Sequence, residues 1–162
     1  MEALRDILRT FRPVGGETLR VAGTGAEPFA AVDPRALRVE AEAGSSAHLV
    51  VLHTKADAAS LTVALGEGAQ LELTHLFAAE AFAEVSVRQS ARSRCRVTTV
   101  QLTGANASYR IDLDGAEAEN SLGGAFLAAD GEHCVVTLHT AHNVPDCRSD
   151  SAVKGVAGGR AV

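Results

Sequence analysis

Apolar and polar residues alternate with a period of two through most of the chain after Arg35. This is the period of a β-strand with one buried face, because successive side chains of a strand point to opposite faces. The positions that share the buried phase are Leu37, Val39, Ala41; Leu49, Val51, His53; Leu61, Val63, Leu65; Leu71, Leu73, His75; Val85, Val87; Cys95, Val97, Thr99; and Tyr109, Ile111, Leu113. The pattern predicts an all-β body over residues 35–162.

The first 34 residues follow a different pattern. A short amphipathic helix is predicted over Glu2 to Phe11, because its apolar residues have helical spacing: Leu4, Ile7, Leu8 and Phe11. Pro13 ends that pattern. The segment from Val14 to Pro34 is rich in Gly, Pro and acidic residues and has no sustained period, which indicates an irregular connection.

The strand-like runs recur about 24 residues apart, in two interleaved series. One series begins at Ser60, Ala83, Ser108 and His133, and the other at Gln70, Arg94, Glu119 and Cys147. Such regular spacing is typical of a solenoid, in which each turn, or rung, buries its apolar face by stacking on its neighbours. The two series predict a parallel β-helix of about four to five rungs with two strands per rung. An antiparallel sandwich remains the alternative, since it also has short strands separated by turns.

Composition narrows the classes of partner. Hydrophobic residues make up 46% of the chain but aromatic residues only 4%, which favours thin layers filled by small aliphatic side chains. The formal net charge of −5 provides no basic surface for nucleic acid or an anionic membrane, so protein partners are expected. No apolar run approaches the length of a membrane helix, and Met1 opens a charged segment unlike a secretory signal. These features predict a cytoplasmic protein.

The cysteines and histidines are the candidate metal ligands, because thiolate and imidazole bind zinc, copper and iron. The odd number of cysteines and the absence of CxxC spacing argue against a disulfide framework or a zinc ribbon. Alternation places Cys95 and Cys134 on apolar faces, as core residues. The weak candidates that remain are His139, His142 and Cys147. The histidines at 48, 53 and 75 are interpreted as surface or hydrogen-bonded core residues.

Familiar catalytic signatures are absent from the sequence. It contains no phosphate-binding loop, no nucleophile elbow and no zinc-protease helix, so neither ATP hydrolysis nor another enzymatic activity is expected. A cluster of acidic residues invites comparison with the paired carboxylates of a sugar-cleaving enzyme, but a solvated turn explains it better. These residues are Asp112, Asp114, Glu117 and Glu119.

The C-terminal segment has a recognisable order of residues, His142-Asn143-Val144-Pro145-Asp146-Cys147-Arg148-Ser149, followed by Lys154-Gly155-Val156 and Gly159-Arg160-Ala161-Val162. Together with the turns at 111–115 and 121–124, this order resembles the core domain of the SufB/SufD family of iron–sulfur cluster assembly, and SufD most of all. The resemblance covers roughly residues 43–162. Its motif positions are His142, Ser149 and Lys154.

The resemblance implies a right-handed parallel β-helix that acts as a non-catalytic scaffold. Such a subunit would pair with a SufB-like β-helix subunit and work with a SufC-like ATPase. An iron–sulfur cluster would be handled by the complex, and no cofactor would be bound stably by this chain alone. The resemblance carries no catalytic or cofactor-binding residue onto this sequence.

The chain departs from the family pattern after Val162, where further rungs and a helical region that contacts the ATPase would follow. We therefore expect a C-terminally truncated member whose last rung is open, and open strand edges promote self-association. Two other functions stay open at this point: a structural β-helix module that self-assembles, and a β-helix enzyme that acts on polysaccharides.

Overall fold

A computed structural model describes residues 6, 8–25 and 27–161 of the chain. Within these residues the regular secondary structure consists almost entirely of β-strands. Their bounds are β1 Arg12–Pro13, β2 Thr18–Val21, β3 Phe29–Val32, β4 Ala36–Ala41, β5 Ser46–His53, β6 Ala58–Leu65, β7 Gln70–Phe77, β8 Phe82–Gln89, β9 Arg94–Gln101, β10 Ala105–Leu113, β11 Glu119–Ala128, β12 Cys134–His142 and β13 Arg148–Ala157. None of the described helical residues belongs to a helix long and apolar enough to cross a membrane.

The strands form two parallel sheets that the chain visits alternately. Sheet A has the order β1-β3-β5-β7-β9-β11-β13, and sheet B has the order β12-β10-β8-β6-β4-β2. Every neighbouring pair of strands is parallel, which rules out the antiparallel sandwich. In the described part of the chain, β5 to β12 make four full rungs, with shorter strands before them and β13 after them. The predicted parallel β-helix with two strands per rung is confirmed.

The strand register differs from the predicted series by one residue at Ala83 and Cys147 and by four residues at His133, since Ser108 pairs with Thr137. Ser60 and Ser108 both pair with Glu84, whereas the series predicted Ala83 at this position. In sheet A, Gln70, Arg94 and Glu119 are in register as predicted, but the column continues to Arg148. Cys147 and His133 each lie one residue before a strand, because the connections between strands differ in length.

The core lies between the two sheets and consists of the inward-facing residues of successive rungs. Parallel strands in register stack equivalent positions about 4.8 Å apart, so each inward column is a continuous row of side chains. One such column contains Leu49, Leu73, Val97 and Leu122, all buried. Aliphatic residues fill most columns, which agrees with the low aromatic content.

Half of the predicted helix over Glu2 to Phe11 falls outside the described residues. Of its apolar positions, Leu8 is buried and Phe11 is partly buried, and both pack on the outer face of sheet A against Val50 and Leu52. The segment predicted to be irregular contains β2 and β3, which pair with β4 and β5. Each of these strands has four residues, too few to produce a visible period of two.

The turns that lead into sheet A share one backbone feature. The second residue before each of the strands β5, β7, β9, β11 and β13 has a positive φ between 56° and 69°. These residues are Gly44, Gly68, Arg92, Glu117 and Asp146. Only glycine adopts this left-handed conformation without steric cost, so the later rungs carry strain that the earlier ones avoid.

Candidate functional site

The tail motif forms the connection between the last two strands. His142 is the final residue of β12 and Ser149 is the second residue of β13. Both occupy inward phases of their strands, since His142 pairs with the buried Leu113 and Ser149 pairs with the buried Asn120. The solenoid turn therefore brings them together, and His142 Nε2 lies 2.8 Å from Ser149 Oγ.

The turn after His142 is fixed to the preceding rung by hydrogen bonds. The Asn143 backbone N–H donates to the Leu113 carbonyl at 3.0 Å, and its side-chain Nδ2 donates to Asp114 Oδ1 at 2.7 Å. Asp114 Oδ2 also accepts from Nε and Nη2 of Arg88. The Asn143 hydrogen bond is the main cause of the lowered pKa of Asp114, and Arg88 adds to it. The motif turn is thus tied to the turn beneath it.

Cys147 is held at the end of the same turn. Its thiol donates to the Gly115 carbonyl, with a sulfur–oxygen distance of 3.3 Å, and the Pro145 carbonyl lies 3.8 Å away. The side chain is partly buried and packs against the main core. Its sulfur therefore faces backbone carbonyls of the turn below.

The last strand, β13, contains the motif positions Ser149 and Lys154 and is exposed along its whole length. All ten residues of β13 are exposed, and β13 is the edge strand of sheet A. Its inward positions include Ser149, Ser151 and Val153, which extend the columns of Asn120, Leu122 and Gly124. This end of the solenoid thus presents both a strand edge and inward-facing side chains to the surroundings.

The structure separates the other residues singled out from the sequence. Lys154 pairs with Ala125 on the outer face of β13, on the opposite side of the strand from Ser149. His139 lies on the outer face of β12 beside Arg110, whereas His142 faces inward. The described residues contain no group of three or more His, Cys, Asp or Glu side chains that could hold a metal ion. His139, His142 and Cys147 accordingly do not converge.

The remaining cysteines lie on the faces that alternation predicts. Cys95 is 2% exposed in the main core, and burial raises the pKa of its thiol to about 12. Cys134 is partly buried, and its thiol donates to the Thr103 carbonyl at 3.4 Å. Burial is the main cause of the raised pKa of Cys134. Both thiols are therefore kept protonated near neutral pH.

Three of the four carboxylates in the acidic cluster around β10 and β11 form surface ion pairs. Asp112 pairs with Arg110 of its own strand, and Asp114 pairs with Arg88. Glu119 lies 3.2 Å from the Nε of its register neighbour, Arg94. A cation thus neutralises each of these three carboxylates, as expected for a solvated face.

A charged groove of about 630 Å³ lies on the outer face of sheet A, near the start of its strands. Cations and anions line it in equal number: Arg94, Arg96, Arg148, Glu72, Glu119 and Asp150. Glu119 pairs with Arg94, and Glu72 lies 4.0 Å from Arg96. The balance of charges leaves no net field that would concentrate an ion of either sign.

Sequence reasoning missed a polar chain inside the solenoid. His53 Nε2 and His75 Nε2 are 2.8 Å apart, and His75 Nδ1 lies 2.9 Å from the Tyr109 hydroxyl. The His53 ring also stacks on Phe77, with ring centroids 4.9 Å apart. The strand register could have indicated this contact. His75 pairs with Val51 of the preceding rung, and Val51 lies only two positions before His53 on β5. Both histidines therefore occupy adjacent inward positions of neighbouring strands.

Burial controls the protonation of this chain. It lowers the pKa of His75 to about 3, and repulsion from His53 acts in the same direction. Burial also lowers the pKa of His53, although the nearby Asp33 opposes the shift. The pKa of Tyr109 is raised by burial, against a smaller effect of the Thr99 hydroxyl. The side chains of His53, His75 and Tyr109 are thus all uncharged at physiological pH.

Comparison with protein families supports the sequence resemblance. The model described as "SUF system FeS cluster assembly, SufBD core domain" matches residues 23–162. This span contains every strand from β3 to β13, including the tail motif. No match was found among curated proteins or among solved structures.

Proposed function

Because the chain belongs to the SufB/SufD core-domain family of the SUF system for iron–sulfur cluster assembly, we propose that it is a non-catalytic, SufD-like scaffold subunit of that system. In this proposal it acts in the cytoplasm and pairs with a SufB-like β-helix subunit. The resulting complex works with a SufC-like ATPase and handles the cluster. Family membership itself implies involvement in cluster assembly.

The observation that carries the pairing proposal is the exposed edge of β13. An edge strand offers unpaired backbone groups to another strand. In β13 this edge runs for ten exposed residues beside inward-facing side chains such as Ser151 and Val153. A second β-helix end could therefore continue both the sheet and the core. The His142–Ser149 hydrogen bond supports this role because it orders the start of the strand.

The proposal of a non-catalytic role is supported by the state of the reactive groups. The carboxylates of Asp112, Asp114 and Glu119 form ion pairs with arginines. His53 and His75 are enclosed in the core, where a substrate would have no access. The sequence also lacks a phosphate-binding loop, so ATP hydrolysis is assigned to the ATPase partner.

Co-purification tests the pairing directly. The full chain would be co-expressed with a SufB-like protein and a SufC-like ATPase from the same genome, and complexes would be sized by light scattering. We expect a complex with the SufB-like protein that is lost in Ser151→Asp and Val153→Asp, because both place a charge at the proposed junction. Thr137→Asp, on the outer face of β12, is the matched control and retains the complex.

Two results would argue against the proposal. Pairing that survives both β13 substitutions would place the contact elsewhere. Concentration-dependent fibres of the chain alone, with no complex formed, would favour the self-assembly function instead.

A second test concerns the cluster. The chain alone, incubated anaerobically with iron and sulfide, is expected to hold no stoichiometric cluster. Clusters need thiolates, and Cys95 and Cys134 have raised thiol pKa values in partly or fully buried sites. A stable visible spectrum that disappears in Cys147→Ser would contradict this expectation.

A further inference from the structure

Apolar side chains, all exposed except the partly buried Val100, form a strip on the outer face of sheet A, near the ends of its strands. Leu102 directly follows β9, Leu127 lies in β11 and Val156 lies in β13, and they are 52%, 55% and 66% exposed. Leu127 and Val156 are register partners, and Val100 pairs with Ala125 in the adjoining row. We call these five residues the outer strip.

The outer strip continues a surface that the chain already covers in its first rungs. Leu52 pairs with Leu76, and Leu76 pairs with Val100, so the three residues form one row across sheet A. At Leu52 this row is completely buried, because Leu8 and Phe11 of the N-terminal segment pack there. Among the described residues this covering ends before β9. The same apolar surface is therefore packed in one half and exposed in the other.

The geometry of the covered half indicates what fits the exposed half. Adjacent strands are about 4.8 Å apart, and one helical turn rises about 5.4 Å. A helix that lies across the strands can thus place one apolar side chain from each turn on each successive strand. Leu8 and Phe11, three residues apart, occupy the covered half. Three strands, β9, β11 and β13, form the exposed half.

A positive charge beside the outer strip adds a second requirement for the helix that binds there. Lys154 is the register partner of Ala125, and it lies on the same outer face. Among the described residues it has no ion pair, so it can receive a carboxylate from an occupant of the strip. A helix with acidic residues beside its apolar face would satisfy both features.

We propose that the outer strip is a docking site for an amphipathic helix of a partner protein, with apolar residues at i, i+3 or i+4, and i+7, and an acidic residue beside them. The site uses the outer face of sheet A. The scaffold pairing proposed above uses the edge of β13, so the two proposals can fail independently.

A peptide with the sequence of residues 1–14 is a suitable probe, because it has apolar residues at this spacing and carries Glu2 and Asp6. Fluorescence anisotropy would measure the binding of the labelled peptide to the full chain. We expect binding that weakens roughly tenfold or more in Leu127→Asp and in Val156→Asp, because a charge would be buried under the helix. A scrambled peptide should not bind.

Val135→Asp is the matched control. Val135 is also an exposed valine, at 40%, but it lies on sheet B. Thermal unfolding would verify that each variant is folded, and Leu102→Asp replaces either strand variant if one is not. Absence of peptide binding to the unmodified chain would overturn the proposal. So would equal binding by all variants, or loss of self-association in the strip variants without any peptide binding, which would assign the strip to a second copy of the chain.

Discussion

His53 and His75 meet inside the solenoid with their Nε2 atoms 2.8 Å apart, although each belongs to a different rung. They share a hydrogen-bonded chain with the Tyr109 hydroxyl of sheet B. Protonation of either ring would place a charge in a core that is otherwise mostly aliphatic. This relationship makes the stability of the protein dependent on pH.

We expect the free energy of unfolding to fall as the pH drops below 6.5. The folded pKa of His75, about 3, is below its ordinary value of 6.5, so the unfolded chain binds the proton more readily. The contribution of His75 is complete above pH 6.5 and is lost as the pH falls towards 3. At about pH 5 the loss from this residue should be about 2 kcal/mol. Urea unfolding at about pH 7.5 and about pH 5 measures this difference in the free energy of unfolding.

Substitution separates this effect from the titration of carboxylates. His75→Phe should be less stable than the unmodified chain at about pH 7.5, because Tyr109 loses its partner, but its stability should fall less on acidification. His139→Gln, at an exposed position, should keep the slope of the unmodified chain. Identical slopes for His75→Phe and the unmodified protein would show that His75 does not control acid stability.

The left-handed turn residues predict a stabilising substitution. Glu117 has a φ of 60° at the position that Gly44 and Gly68 occupy in earlier rungs. Glu117→Gly should raise the free energy of unfolding by about 0.5–1 kcal/mol, since the gain from relieved strain exceeds the entropy that glycine adds to the unfolded chain. The neighbouring Ala116→Gly is the control and should not stabilise. Thermal or urea unfolding compares them, and a loss of stability in Glu117→Gly would contradict the argument.

Substitution by alanine should have opposite effects on stability at Gly115, in the turn before β11, and at Gly123, within β11. A Cβ at Gly115 would overlap the backbone of Ser90 and Ala91 in the turn below. Gly115→Ala should therefore destabilise the protein by about 3 kcal/mol. Gly123 lies in β11 with open space around it, so Gly123→Ala should be neutral or stabilising by about 0.5–1 kcal/mol. Urea unfolding of both variants tests the close stacking of the turns; equal effects would contradict it.

Thiol labelling tests the placement of the cysteines. Cys134 and Cys147, both partly buried, should react with a thiol reagent in the folded protein, whereas Cys95 should react only after unfolding. The reason is that Cys95 is enclosed and its thiol pKa is raised to about 12. Cys95→Ala should leave the labelling of the folded protein unchanged and remove one thiol from the unfolded protein. Rapid labelling of Cys95 in the folded state would show that the core opens near β9.

Much of the fold followed from local pattern. The buried phase of each run, such as Leu71 and Leu73 in β7 or Tyr109 and Ile111 in β10, is correct because alternation reflects the geometry of a single strand. The interval of about 24 residues indicated stacked rungs because every rung must repeat the same path. The four-residue strands β2 and β3 escaped detection, since a pattern of that length cannot be distinguished from an irregular segment.

The candidate site was predicted only in part. The tail motif marked His142 and Ser149, and the structure shows that the turn between β12 and β13 joins them. Lys154 belongs to the same stretch of sequence but faces the other side of its strand. The outer strip had no signal in the sequence, because Leu102, Leu127 and Val156 come from three different rungs.

By itself the sequence determined the strands from β4 onward, their buried faces, the solenoid repeat and the family, because these depend on neighbouring residues and on a regular interval. Only the tertiary structure decided the register between rungs, the contact of His53 with His75 and the surface left exposed on sheet A. These features depend on how turns of unequal length align distant residues. A shift of one residue in a parallel register reverses which side chains face the core. The strand pairing therefore had to be known before these contacts and this surface could be assigned.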